Sequence, residues 1–138
     1  GLRHPLFREK RIGTIKLRNK ALGTSGSGTQ FYIEKGKKIG HILDPRTGQP
    51  ASGVLSATVL ADTAAEADAL STAAYILGPK EIHHISPDGG SVAAILVVKD
   101  ETSSRLNVLL ANLDTEEFVP NQTSPGLTVI QAKDFNRK

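Results

Sequence analysis

The 138-residue sequence contains no cysteine, methionine or tryptophan. Without cysteine the chain forms no disulfide, thiolate metal site or thiol nucleophile. Cysteine usage therefore does not indicate whether the chain works in an oxidising or a reducing compartment. The absence of methionine, even at position 1, predicts a processed or truncated chain whose natural start lies elsewhere. No apolar run approaches the roughly 20 residues that a membrane-spanning helix needs, and residues 1–5 lack the apolar core of a signal peptide. The sequence therefore predicts no transmembrane segment and leaves the compartment unassigned.

Aromatic residues are scarce, at 4% of the chain, and this bears on the uneven positive charge. The formal net charge is +3, and residues 1–20 carry many basic side chains against the single acid Glu9. Such a segment either attracts phosphate-rich partners or forms a solvated strand pair. Because there are few rings to stack on bases and no recognisable nucleic-acid motif, we favour the strand pair and predict no nucleic-acid partner.

Hydrophobic periodicity predicts an α+β fold with two layers, in which a mainly antiparallel sheet packs on one long helix. With 38% apolar and 22% charged residues, the chain has the composition of one globular domain. The segment Glu34-Lys35-Gly36-Lys37 predicts the turn of a β-hairpin. The predicted strands are residues 12–17, 31–33, 39–43, 55–61, 92–98, 106–110 and 126–131, and residues 23–28 are predicted to form a flexible turn.

The clearest predicted element is a helix from Ala64 to Leu77. Thr63 followed by Glu66 is a capping-box pattern, and the Gly-Pro pair after the last helical residue ends the helix. An apolar stripe without a broad charged face predicts that the helix is buried on both sides. We therefore expect Leu70 in the core, and we expect Asp68 to be buried with a polar partner.

Asp68 and Thr72 stand four positions apart, hence on one face of this helix, and offer a carboxylate and a hydroxyl oxygen. This combination suits Mg²⁺, completed by backbone carbonyls, water and substrate phosphates, better than Zn²⁺, which prefers nitrogen and sulfur ligands. An aspartate hydrogen-bonded within its own helix explains the same pattern equally well.

Three other signals are weaker when each is taken alone. His41 ends a short apolar run before an Asp-Pro turn, where a structural role is the commoner one for an imidazole. Residues 23–28 lack the Gly-Lys-Ser/Thr sequence of a nucleotide P-loop. His83 and His84 are adjacent, so their side chains diverge in a helix or a strand and are a poor metal pair.

In combination, these segments resemble one known family, the ApbE-type flavin transferases. The resemblance rests on the order and spacing of Ala-Leu-Gly-Thr-Ser-Gly at residues 21–26, His-Ile-Leu-Asp-Pro-Arg-Thr-Gly at residues 41–48 and Glu-Ala-Asp-Ala-Leu-Ser-Thr-Ala at residues 66–73. It runs from residue 1 to about residue 98 and is faint beyond. It implies that residues 1–138 are the C-terminal part of an ApbE-like (T-fold-like) domain, about half of it.

The resemblance implies a Mg²⁺-dependent FAD:protein FMN transferase, which splits the FAD pyrophosphate, releases AMP and attaches FMN to a threonine of an acceptor flavoprotein. FAD is then the substrate and Mg²⁺ the cofactor. Family members are longer, so the chain is expected to act as a fragment that needs an N-terminal half or a complementary chain. The alternatives are a non-catalytic flavin- or metal-binding module and an FAD pyrophosphatase. Bacterial members are often periplasmic or membrane-anchored, which this sequence does not decide.

The resemblance also assigns roles to individual residues. Asp68 and Thr72 match the family's metal-binding pair, and Ser71 is expected to add an oxygen. His41 matches the proton acceptor for the attacking threonine hydroxyl. The expected cofactor contacts are Ile42, where the backbone meets flavin, and Ser25 and Gly26, which border the pocket.

Overall fold

The structure is a computed structural model that describes residues 1–28, 31–114, 116–121 and 126–135. In chain order, its elements are β1 (Leu2–Arg3), β2 (Arg11–Ile15), β3 (Ala21–Gly26), β4 (Phe31–Glu34), β5 (Lys37–Gly40), β6 (Leu43–Asp44), β7 (Gln49–Pro50), β8 (Val54–Ala61), α1 (Ala64–Leu77), a 3₁₀ turn (Ile82–His84), β9 (Ala93–Lys99), β10 (Leu106–Ala111), β11 (Phe118–Pro120), β12 (Leu127–Gln131) and α2 (Ala132–Phe135).

A five-stranded sheet organises these elements, with the strand order β12-β10-β9-β8-β3. Neighbouring strands are antiparallel except for β10 and β12, which are parallel. Helix α1 packs across β3 and β8, and side chains of both layers share one core cluster. This arrangement confirms the predicted α+β class, with a mainly antiparallel sheet packed on one long helix. Neither helix in the described part of the chain is long and apolar enough to cross a membrane.

The ends of α1 are those predicted from the sequence. The Thr63 hydroxyl accepts a hydrogen bond from the Glu66 backbone N–H at 3.2 Å, which satisfies one of the otherwise unpaired amides of the first turn. Gly78 ends the helix at φ 73°, and its N–H donates to the Ala74 carbonyl at 3.0 Å. A glycine adopts this positive φ without the steric cost of a Cβ.

The prediction that α1 is buried on both sides is wrong. The buried positions form a single face of mostly small residues, Ala67, Ser71, Ala74 and Tyr75. Leu70 is only partly buried, and Asp68 is exposed to solvent. Small side chains let the helix approach the sheet closely, so the contact runs along them rather than along the leucines. An exposed carboxylate keeps its hydration and needs no protein partner.

Residues 23–28 were predicted as a flexible turn, and this is also wrong for most of the segment. Residues 21–26 form the edge strand β3, which pairs with β8 from Ala21 opposite Ala61 to Gly26 opposite Ser56. A Cβ on Gly23 would meet the backbone of Ala67 and lie 2.7 Å from the Asp68 nitrogen. Glycine here permits a close approach of helix and strand rather than a change of chain direction.

The predicted hairpin is present, and its turn contains Lys35 at φ 49° and Gly36 at φ 76°. Positive φ at both central residues is the conformation of a type I′ turn, which matches the twist of the strands. The second strand was predicted to extend to residue 43, but β5 ends at Gly40. Leu43–Asp44 instead pairs with Gln49–Pro50 around the predicted Asp-Pro turn, where the Thr47 N–H donates to the Asp44 carbonyl at 3.2 Å.

The face of the five-stranded sheet away from α1 is covered by a small sheet of β1, β2 and β11, which the sequence did not predict in full. Ile12 and Phe118 are among its fully buried side chains. The predicted strand at residues 12–17 ends at Ile15, and Leu17 is exposed. The basic N-terminal segment thus includes a strand pair that packs on the domain through its apolar side chains.

His4 stabilises the turn between β1 and β2 in its neutral form. Its Nδ1 accepts hydrogen bonds from the backbone amides of Leu6 at 3.1 Å and Phe7 at 3.3 Å. Burial, and secondly the positive charge of Lys10, lowers the pKa of His4 below its ordinary value of 6.5. Protonation would remove the lone pair on which both hydrogen bonds depend.

We predict that His4 makes the stability of the domain fall in mild acid. Because its pKa is lower in the folded than in the unfolded state, its contribution is complete above pH 6.5 and is lost as the pH falls through the lowered folded pKa. Thermal melts at a series of pH values should show a smaller loss of Tm in His4→Asn, which keeps a neutral acceptor, than in the wild type. Equal pH dependence of the two proteins would contradict this role.

Candidate functional site

A cleft of about 530 Å³ opens where β3, α1 and the segment after β5 meet. Its lining consists of Thr24, Ser25, Gly26, His41, Ile42, Leu43, Asp68, Thr72 and Ile76. The structure thus brings together every residue that the sequence predicted for the site except Ser71. Their chemical roles stay predictions, because shared lining alone does not assign them.

Hydroxyl groups join the strand side of the cleft to its helix side. The Ser25 Oγ lies 2.9 Å from the Ser71 Oγ and 2.9 Å from the Thr72 Oγ1. The Ser71 hydroxyl donates to the Asp68 backbone carbonyl at 2.9 Å and is fully buried beneath the cleft. These contacts fix the position of β3 relative to the middle of α1. The sequence did not predict them, because strand and helix are more than 40 residues apart.

Asp68 lines the cleft and is exposed to solvent. Across the described ranges, no lysine or arginine forms an ion pair with it, in contrast to Asp62, which Lys20 contacts at 2.6 Å. Thr72 is half-buried and lines the same cleft. This geometry leaves the Asp68 carboxylate accessible to a cation from solution.

The oxygen atoms of the cleft fit a hard divalent cation. A carboxylate and a hydroxyl, without thiolate or clustered imidazoles, form a donor set suited to Mg²⁺, which retains several waters and takes few protein ligands. The described residues contain no group of three or more His, Asp or Glu side chains that would make a self-sufficient metal centre. A cation held here would therefore also depend on water and on oxygens of a bound ligand.

His41 follows β5 directly and lines the cleft with an exposed imidazole. The next residue, Ile42, uses its carbonyl to accept a hydrogen bond from the Ala51 N–H at 2.9 Å. Ile42 and Ala51 stand directly before and after the short strand pair β6–β7, so this hydrogen bond closes the pair at its open end. It thereby fixes the segment that contains His41 at the rim of the cleft.

Arg46 ties the turn after this segment to the chain that follows α1. Its Nη2 lies 2.8 Å and its Nε 3.0 Å from the Asp44 carboxylate, and its Nη1 lies 3.4 Å from the Glu81 carboxylate. The hydrogen bonds from Arg46 lower the pKa of Asp44, and the same contact with Asp44 raises the pKa of Arg46. The bond to Glu81 was missed at the sequence level, because two residues 35 positions apart carry no local signal of contact.

Large apolar side chains are exposed on the hairpin that precedes His41. Tyr32 is 53% and Ile33 is 70% exposed, and Phe31 is exposed as well. Leu43, which follows His41 in β6, is also exposed. Consecutive apolar residues on a two-stranded hairpin are unusual on the surface of an isolated domain, and contiguous apolar patches are typical of interaction sites. This surface borders the cleft at residues 41–43.

A second cleft of about 740 Å³ lies at the opposite end of the sheet, between residues 82–89 and the ends of β10 and β12. Its polar lining includes His83, Asp114 and Glu117. The rings of His83 and His84 are 4.0 Å apart. None of the predicted site residues lines this cleft.

The sequence of the chain is similar to one family model and to proteins named FAD:protein FMN transferase. A sequence model described as the ApbE family matches residues 1–96. The chain is 37% identical over 101 residues to the FAD:protein FMN transferase of Klebsiella pneumoniae (strain 342), a match that covers 72% of this chain and 29% of that protein. It is 38% identical over 93 residues to the FAD:protein FMN transferase of Rhodobacter capsulatus, with coverage of 67% and 18%.

Solved structures give the same result. The chain is similar to the ApbE protein of Thermotoga maritima, with 35% identity and a TM-score of 0.63, covering 71% of this chain and 32% of that one. The apo form of the flavinyl transferase ApbE of Pseudomonas stutzeri matches with 28% identity and a TM-score of 0.59, covering 75% and 32%. The chain therefore spans less than a third of the length of these relatives.

We predict that Arg46 restricts the motion of the turn beside the cleft. Arg46→Lys keeps the charge but removes the planar fork that contacts Asp44 and Glu81 together. Amide hydrogen exchange should accelerate at Gly48, whose N–H donates to the Asp44 carbonyl at 2.8 Å. Arg18→Lys, at another exposed arginine, is the control and should leave this exchange rate unchanged. Unchanged exchange at Gly48 in Arg46→Lys would show that the ion pairs do not order the turn.

Proposed function

The chain belongs to the ApbE family, and from this membership we propose that it carries the cation-binding and proton-accepting part of a Mg²⁺-dependent FAD:protein FMN transferase. The observation that carries the proposal is the single cleft that contains Ser25, His41, Ile42, Asp68 and Thr72. These residues come from three separate segments within the matched residues 1–96. The transferase name belongs to the relatives, and its extension to this chain is the proposal.

Asp68 and Thr72 are the proposed Mg²⁺ ligands, through the carboxylate and the Oγ1. The exposed carboxylate and the oxygen-only donor set support this assignment. Bound Mg²⁺ would offset the negative charge that develops as the FAD pyrophosphate is split. The Ser71 hydroxyl already donates to the Asp68 carbonyl and lies beneath the cleft, so we assign it a supporting role within the helix.

His41 is the proposed proton acceptor for the acceptor threonine. In the transfer step, the threonine oxygen bonds to the phosphorus of the FMN half of FAD, and the pyrophosphate bond to AMP breaks. The threonine proton passes to the imidazole, and AMP leaves with the electrons of the broken bond. The backbone at Ile42 would contact the flavin, and Ser25 and Gly26 would border it, as their positions in the cleft allow.

We further propose that residues 1–138 form the C-terminal part of a larger ApbE-like domain and that turnover needs additional polypeptide. The chain covers only 29% of the Klebsiella relative. Exposed apolar side chains that another segment would cover lie in the cleft lining, at Leu43, and on the hairpin that precedes His41, at Tyr32 and Ile33. An N-terminal half or a complementary chain would supply contacts for the flavin ring and the adenosine, which offset the entropy lost on ordering FAD.

The first test compares the isolated chain with a complete domain. We expect no AMP release from FAD and Mg²⁺ by the 138 residues alone. Transfer of FMN to an acceptor threonine should appear in a chimera that carries residues 1–96 in place of the matching segment of the Klebsiella relative. The unmodified relative is the positive control for AMP release and for labelling of the acceptor.

The outcomes separate the alternatives. Rapid FAD cleavage by the isolated chain would contradict the need for further polypeptide. Release of free FMN by the chimera without labelling of the acceptor would favour an FAD pyrophosphatase. A folded chimera that binds FAD without turnover would favour a non-catalytic flavin- or metal-binding module.

The second test removes the proposed cation ligand within the same chimera. Asp68→Ala should reduce the rate of FMN transfer by about 100-fold or more, because loss of a catalytic metal ligand removes several kcal/mol of charge stabilisation. The helix should remain intact, since alanine is the best helix former. Glu66→Ala, which removes an exposed carboxylate of the same helix outside the cleft, is the control. Equal rates in both variants would reject Asp68 as a metal ligand.

A further inference from the structure

The hydroxyl of Ser25 contacts two hydroxyls of α1, those of Ser71 and Thr72. We propose that Ser25 is a positioning residue, which fixes the direction of the Thr72 hydroxyl so that the lone pairs of the Thr72 oxygen face the cleft. This inference rests on the proposed function, because it concerns how the Asp68 and Thr72 pair is prepared for a divalent cation.

A count of protons determines the direction of each hydrogen bond. The three hydroxyls of Ser25, Ser71 and Thr72 have one proton each. The Ser71 proton is used in the 2.9 Å bond to the Asp68 carbonyl, since a carbonyl can only accept. The 2.9 Å contact between Ser25 and Ser71 therefore requires that Ser25 donates. Ser25 then has no proton left for its 2.9 Å contact with Thr72, so Thr72 donates to Ser25.

This assignment satisfies all three short contacts, and no other assignment does. The competing bond of Thr72 is the one to the Asp68 carbonyl, at 3.5 Å. If Thr72 donated there, one of the two contacts of Ser25 would have no proton between its oxygens. The hydroxyls therefore form a directed series from Thr72 to Ser25, from Ser25 to Ser71 and from Ser71 to the backbone of α1.

The direction matters for the chemistry of Thr72. With its proton directed to Ser25 on β3, the Thr72 oxygen keeps its lone pairs for other partners, and Thr72 lines the cleft. A metal ligand needs a lone pair rather than a proton on the side of the cation. The two middle members of the series have fixed surroundings, because Ser71 is fully buried and Ser25 is paired opposite Ala57 in the sheet.

Without the Ser25 hydroxyl, the Thr72 proton loses its short partner. The Asp68 carbonyl, at 3.5 Å, is the other acceptor that the Thr72 hydroxyl contacts, and a turn of the hydroxyl toward that carbonyl changes the direction of its lone pairs. Ser25→Ala should therefore weaken the binding of a cation by Asp68 and Thr72. The proposal thus predicts an effect on cation affinity in excess of any effect on stability.

The test measures binding of Mn²⁺, a spectroscopic substitute for Mg²⁺, to the complete 138-residue chain by electron paramagnetic resonance of the free ion. We expect Ser25→Ala to weaken Mn²⁺ binding about five- to tenfold, the equivalent of one hydrogen bond. Ser25→Thr, which keeps a hydroxyl, should restore binding. Thr58→Val is the matched control, because it removes a part-buried 2.8 Å hydroxyl contact between β8 and Thr24 of β3 that involves neither Asp68 nor Thr72. It should change Tm but leave Mn²⁺ affinity within about twofold.

Asp68→Ala separates a failure of this inference from a failure of the proposed function. If the wild type binds no Mn²⁺, or if Asp68→Ala binds as well as the wild type, the metal site itself is wrong and the inference falls with it. If Asp68→Ala loses binding while Ser25→Ala keeps wild-type affinity, the metal site stands and the role of Ser25 is overturned. An equal loss of Mn²⁺ affinity in Ser25→Ala and Thr58→Val would show that Ser25 only stabilises the structure and does not position Thr72.

Discussion

The close contact between β3 and α1 is the constraint on which the candidate site depends. Gly23 lacks the Cβ that would collide with the backbone of Ala67, and the small side chains on the buried face of α1 allow the helix to approach the edge strand. At this separation Ser25 reaches both Ser71 and Thr72. A wider spacing would break the hydroxyl contacts and separate the side-chain oxygens of Asp68 and Thr72 from the strand that borders them.

This arrangement places different polar groups at different depths. Ser71 is buried and hydrogen-bonded, which avoids the cost of an unsatisfied hydroxyl, whereas the Asp68 carboxylate stays in solvent. An accessible carboxylate supported by ordered hydroxyls suits a cation that retains much of its hydration and takes its remaining ligands from a phosphate-bearing substrate. The His41 segment is fixed separately, through Ile42 and the Arg46 ion pairs, so that the two halves of the cleft are held by independent contacts.

The sequence predicted those features that depend on local chemistry. Thr63 and Gly78 located the ends of α1, because capping requires particular residues at fixed positions, and Lys35-Gly36 located the hairpin turn. The burial of Asp68 was predicted wrongly, since a helical wheel cannot determine which side the sheet covers. Residues 23–28 were misread because glycine indicates a turn in most sequences and a close approach here. The contact of Ser25 with the helix depends on tertiary packing, which no local pattern encodes.

Our proposal places β3, α1 and the segment that contains His41 around one cation site. Paramagnetic broadening by Mn²⁺ in a ¹H–¹⁵N correlation spectrum of the 138-residue chain tests it most directly, because broadening decreases steeply with distance from the ion. We expect the amides of Ser25, Ile42 and Thr72 to broaden at the lowest Mn²⁺ concentrations, while those of Gly89 and Asn112 in the opposite cleft stay sharp. Preferential broadening at Gly89 and Asn112, or uniform broadening across the chain, would contradict it.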